Sequence, residues 1–116
     1  MTDIEYYKFE DGTNPIDPFL DGLNPKMRAK VFRTMELLEE FGAELRMPHS
    51  EYLKDGIFEL RVKLGSDIER VLYFFFTGKK AVLTNGFTRK QQKTPAKEIE
   101  IAKIRKADYE RRHKDE

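Results

Sequence analysis

Cysteine is absent from the chain, which excludes disulfides, thiolate metal centres and cysteine nucleophiles together. Histidine is scarce. His49 has no carboxylate or second histidine at ligand spacing and His113 sits in a charged tail, so neither a metal site nor a cofactor is expected. Long hydrophobic runs are also missing: the longest, Val71 to Phe76, falls far short of the roughly 18 to 20 residues that a bilayer span needs. The opening MTDIEYYKFE has neither a basic start nor an apolar stretch, so no secretory signal is expected and a cytoplasmic setting is the default. There is no Ser/His/Asp triad, no glycine-rich phosphate loop, and no internal repeat or linker. With 116 residues, the chain is expected to be a single domain over 1–116.

What is abundant is charge, and it is unevenly placed. Residues 1–51 hold 6 Lys/Arg against 11 Asp/Glu, whereas residues 52–93 hold 9 against 4. A basic segment of that size points toward a phosphate or nucleic-acid partner. The competing reading is that the acidic and basic halves neutralise each other across the fold, and composition leaves both open.

Ile4 to Phe9 reads as a short strand ending at the turn pair Asp11-Gly12. Asn14-Pro15 opens a short helical turn through Phe19 and Leu20. Asn24-Pro25 repeats the device at larger scale, Asn24 as cap and Pro25 as first helical residue, predicting a helix from Pro25 to about Phe41. Met27, Val31, Met35 and Leu38 form its apolar stripe, Glu36, Glu39, Glu40 and Glu44 read as its solvated side, and Gly42 is a natural stop. Ala43 to Gly56 reads as a polar connection. Three strands then follow, Ile57 to Leu64, Ile68 to Phe76 and Ala81 to Phe87, joined tightly enough for an antiparallel meander. Thr94-Pro95 predicts a last helix by the same cap-then-proline logic, running to about Arg111 and anchored by Ile101 and Ile104. The order predicts a two-layer α+β domain: an antiparallel sheet packed against a long N-terminal helix, with a C-terminal helix.

Strand alternation puts Phe58, Leu60, Val62 and Leu64 on one face of the first meander strand and Glu59, Arg61 and Lys63 on the other. If the apolar face meets the helix, the cationic face is open. Arg70 depends on register. A three-residue loop at 65–67 sets Val62 opposite Arg70, on the apolar side, whereas a bulge or longer loop sets Arg70 beside Arg61 and Lys63. Arg70 reads either as the partner of a carboxylate, Glu59 or Glu69, or as a phosphate clamp. The cluster Phe87 to Thr94, before a helix start, reads either as a phosphate-attracting loop or as a basic solvent-exposed one. Cations without a metal or triad still suffice to break RNA, which brings its own 2′-hydroxyl nucleophile. Guanidinium stays protonated at neutral pH, so arginines can stabilise charge there but not act as bases. A lysine crowded by two arginines is the better proton carrier.

These residues resemble the RelE/ParE superfamily of type II toxin–antitoxin toxins, and more closely its HigB-like, phage-derived branch. The resemblance rests on Tyr6-Tyr7, Pro15 with Phe19-Leu20, Glu59-Leu60-Arg61, Arg70-Val71-Leu72-Tyr73-Phe74 and Gln92-Lys93-Thr94-Pro95, in this order. It implies a RelE-like fold and a ribosome-dependent, metal-independent mRNA endonuclease (an mRNA interferase) that leaves a 2′,3′-cyclic phosphate and a 5′-hydroxyl. It also implies a cognate helix-turn-helix antitoxin, with operator DNA bound only through the complex. Carried onto this chain, it makes Arg61 and Arg70 the catalytic cations and Lys63 the proton-transfer candidate. Lys54, Arg89, Lys90 and Lys93 become RNA contacts. The chain departs from the RelE branch at the end of the sheet, where Thr88-Arg89-Lys90 stands and no tyrosine inherits a catalytic role. Arg89 also replaces a lysine common among relatives. Two other readings share the fold: a ParE-like gyrase poison, and an inactive member that only binds antitoxin and tunes the operator.

Overall fold

The computed structural model describes residues 1–90 and 92–116; Gln91, part of the predicted basic loop, lies outside them. Among the described residues the chain forms β1 (Asp3–Tyr6), α1 (Ile16–Asp21), α2 (Pro25–Phe41), a 3₁₀ turn (Gly42–Glu44), β2 (Ser50–Lys54), β3 (Ile57–Leu64), β4 (Asp67–Phe76), β5 (Lys80–Thr88) and α3 (Ala96–Arg112). The expected α+β class and the β3-β4-β5 meander are present. The strands make one sheet in the order β1-β5-β4-β3-β2. That sheet is mixed rather than wholly antiparallel, because β1 runs parallel to β5, with Asp3 opposite Lys80 and Tyr6 opposite Leu83. A parallel pair needs a long crossover, and everything from α1 to β4 supplies it. The predicted polar connection also contains a strand: β2 pairs antiparallel with β3, Ser50 opposite Leu60 and Tyr52 opposite Phe58. Its sequence, SEYLK, has the polar character of an edge strand with one side to solvent, which is how it passes for a loop.

Helix α2 forms as its ends dictate. The Asn24 side chain accepts the Met27 N–H at 2.9 Å, Pro25 opens the helix, and Gly42 closes it at φ +54°. Its stripe, Met27, Val31, Met35 and Leu38, is buried against Leu60, Val62, Val71, Tyr73 and Leu83 of the sheet. Alternation along β3 is therefore as predicted: Leu60 and Val62 face α2, and Glu59 and Arg61 face away. Helix α1 lies on β5, and its Phe19 ring sits where Gly86 leaves room; a Cβ there would come within 2.5 Å of the ring. Gly86→Ala is expected to cost about 1–3 kcal/mol through overpacking, read as a lower urea midpoint at unchanged slope.

The opposite face of the sheet is covered at one end by α3. Tyr7, Ile57, Leu72, Phe74, Val82, Ala102 and Tyr109 form this second core. Of the expected anchors of α3, Ile101 is half-buried and Ile104 is 62% exposed, and Ala102 and Tyr109 are the buried residues instead. Ile99, Ala102 and Tyr109 share the helical phase that meets the sheet, and Ile104 is rotated out of it. Tyr109 donates to Glu5 Oε1 at 3.1 Å and Tyr7 to Asp108 Oδ2 at 2.6 Å, fixing α3 against the N-terminal strand. Burial raises the Tyr109 phenol well above the usual range, and the adjacent Glu5 charge adds to it; burial also raises Tyr6, Tyr7 and Tyr73. The folded chain thus holds protons that the unfolded chain releases near pH ~10. Stability is full below that range and falls as pH rises through it. Tyr109→Phe is expected to make the alkaline decline in thermal midpoint shallower, and an unchanged decline would refute the assignment.

Candidate functional site

The turn between β3 and β4 is one residue shorter than a 65–67 loop. Gly65, at φ +64°, and Ser66 make it, with Leu64 opposite Asp67. That single residue decides the site. It sets Arg61 directly opposite Arg70 and Val62 opposite Glu69, so both arginines share the face away from α2.

Two guanidiniums side by side need a counter-charge, and Glu59 supplies it. Glu59 is 0% exposed and Arg70 2%. Arg70 Nη1 donates to Glu59 Oε2 at 3.0 Å and to the Thr94 hydroxyl at 2.8 Å, and Nη2 donates to the Gln92 carbonyl at 3.1 Å. The Thr94 hydroxyl in turn donates to Glu59 Oε2. Arg61 Nε lies 3.7 Å from Glu59 Oε1, and its Nη1 lies 3.4 Å from Glu51 Oε2. Glu59 Oε1 and Arg70 Nε, both buried, have no hydrogen-bond partner among the described residues. The structural reading of Arg70, partner to Glu59, is therefore physically realised, and the cationic face is not open at Glu59 but roofed by the segment carrying Thr94.

Of the other candidates, Lys54 and Lys93 join Arg70 and Thr94 around one cleft of about 360 Å³. The cleft and the arginine pair together hold four cations, Lys54, Arg61, Arg70 and Lys93, to two carboxylates, Glu51 and Glu59. The surplus is positive and suits an anionic ligand. Arg89 and Lys90 line a different cleft of about 370 Å³ beside Ser66 and Ile68. The Arg89 N–H extends the sheet by bonding the Ile68 carbonyl at 2.9 Å, and its guanidinium donates to Gln92 Oε1. Lys63 is exposed opposite Ile68, one pleat beyond Arg61. So Lys54, Arg70 and Lys93 are brought together, Arg61 stands across from Arg70, and Arg89, Lys90 and Lys63 are set to either side.

The family model described as Phage derived protein Gp49-like (DUF891) matches residues 18–107, from within α1 through most of α3, and covers all of this site. The chain belongs to the Gp49-like family. It is a family of RelE/HigB-like toxins. No curated protein matches the chain.

In this Gp49-like protein two residues matter more than alternation alone suggests. Glu59 is the carboxylate that lets Arg61 and Arg70 sit together; its signal is an acid two residues from a cation on the same strand face. Thr94 does not cap α3, which begins after Pro95 with no side-chain cap. Its hydroxyl is taken by Arg70 and Glu59 instead, and no local pattern reports a contact 35 residues distant.

Proposed function

We propose that the protein is the toxin of a toxin–antitoxin pair and cuts messenger RNA on the ribosome without a metal. The observation that carries the reading is the cross-strand pair Arg61–Arg70 about the buried Glu59, in a face with surplus positive charge. The 2′-hydroxyl attacks the adjacent phosphorus, the bond to the 5′-oxygen breaks, and a 2′,3′-cyclic phosphate and a 5′-hydroxyl result. Arg61, 23% exposed, offers a donor to the charge that grows on the phosphate oxygens, and Arg70, buried and held by three partners, adds fixed positive charge behind it. Lys63 carries the proton to the departing 5′-oxygen. Lys54 and Lys93 hold the flanking strand at the cleft, and Arg89 and Lys90 add contacts beyond it. A cognate helix-turn-helix antitoxin restrains the activity, and operator DNA is reached only through that complex.

Induction of the protein in cells, with transcript 5′ ends mapped before and after, tests this. Growth arrest with new ends in codon phase is expected. Arrest without such ends, or arrest with trapped gyrase–DNA complexes in a supercoiling assay, would overturn it, as would absence of arrest by a protein that still binds its antitoxin.

A further inference from the structure

The flank of α2 that faces β3 carries a second cationic feature, which the cleavage step does not use. Lys30, Arg33 and Leu37 recur at helical spacing and so share one side of α2. With His49 and the backbone edge of β3 at Arg61 and Lys63 on the facing wall, they enclose a groove of about 430 Å³, and the Arg61 and Lys63 side chains leave that edge toward the face away from α2. Among the described residues no Asp or Glu lines it. The Lys30 ammonium donates to the Lys63 carbonyl, which keeps its charge at the groove rather than out in solvent. Among the described residues no carboxylate pairs with Lys30, Arg33 or Lys63, and only Arg61 is so engaged, by Glu51 and Glu59. Glu36 and Glu39 line a separate groove between α2 and β1, and Arg33 stands on the ridge between the two, bordering both. Toward β3, however, the helix presents cations and, among the described residues, no carboxylate, where a merely solvated face would interleave compensating signs.

We propose that the α2–β3 groove binds the phosphodiester backbone of single-stranded RNA and leads it to the Arg61–Arg70 pair. Arg61 and Lys63 belong to both features, forming the edge of β3 that divides the groove from the site, so a polyanion lying along Lys30 and Arg33 crosses that edge onto the Arg61–Arg70 face. Cations drawn from separate elements along a groove are the arrangement that tracks a nucleic-acid strand without reading its bases. The inference rests on the reading of this protein as one that acts on RNA.

The probe is a short fluorescent RNA, 2′-O-methylated throughout so that it has no nucleophile, titrated by anisotropy at several salt concentrations. Wild type is compared with Lys30→Ala/Arg33→Ala and Lys30→Glu/Arg33→Glu, with thermal unfolding as the check on folding. Both pairs are surface changes on a well-anchored helix. The alanine pair is expected to weaken binding by about tenfold, and to flatten the plot of log affinity against log salt by about 1 to 1.5, for two lost phosphate contacts. The glutamate pair weakens it further. Wild-type affinity and slope in both variants overturn the proposal, and so does a loss of antitoxin binding with RNA binding intact, which makes the groove a protein-docking surface. If variants bind normally while wild type cuts message, the groove falls and the cleavage reading stands. If wild type cuts nothing yet binds RNA through Lys30 and Arg33, the groove stands and the cleavage reading falls.

Discussion

Arg70→Ala is expected to lower the unfolding free energy by about 3–5 kcal/mol, because it leaves the fully buried Glu59 carboxylate without its closest cation. Against the roughly 5–15 kcal/mol that holds a domain of this kind together, that is a large share. Arg61 cannot take over, since its nearest contact to Glu59 is 3.7 Å and it is already drawn toward Glu51. The Gln92 carbonyl and the Thr94 hydroxyl lose their donor as well, so the segment leading into α3 loosens. The paired change Glu59→Leu/Arg70→Met removes both charges and is expected to recover most of the stability, since apolar replacement of a buried ion pair is often neutral. It should nevertheless leave the protein unable to cut RNA, which separates the structural duty of Arg70 from its chemical one. Urea denaturation of the three proteins decides it: a cost below about 1 kcal/mol for the single change would mean that the buried pair does not hold this face together.

Arg61→Ala is expected to behave in the opposite way. Arg61 keeps 23% of its side chain exposed, and its partner Glu51 is more exposed still, so loss of the outer pair costs within about 1 kcal/mol. Cleavage, by contrast, should fall by about 10²- to 10³-fold, the usual consequence of removing one donor aimed at developing charge. A folded Arg61→Ala protein that cuts at the wild-type rate would move the chemistry elsewhere on the sheet.

Much of this architecture is legible in the sequence because it is written in local signals. Asn24, Pro25 and Gly42 bracket α2, and the alternation from Phe58 to Leu64 assigns each side chain of β3 to its face before any coordinate is known. Most of the misread features depend on partners distant along the chain. Strand β1 finds its parallel neighbour 77 residues on, through Asp3 and Lys80. Strand β2 has no apolar period of its own and is a strand because β3 offers it a ladder. The position of Arg70 turns on whether the β3–β4 turn holds two residues or three, a difference that composition at Gly65-Ser66-Asp67 does not fix. Thr94 looks like a helix cap because Thr before Pro usually is one, yet two charged groups from β3 and β4 claim its hydroxyl. The candidate cations are readable as residues, and Glu59 as one of two carboxylates open to Arg70; what alternation hides is that Glu59 also stands beside Arg61 and so brings the two arginines together.

The chemistry itself is tested most directly with a ribosome-bound message carrying one 2′-deoxynucleotide at the mapped scissile position, beside an all-ribose control. The account predicts that the wild-type protein cuts the control, leaving a 5′-hydroxyl end that a kinase labels without prior phosphatase, and leaves the deoxy message whole at that position. Cleavage of the deoxy message at the same bond, or products bearing a 5′-phosphate, would contradict it.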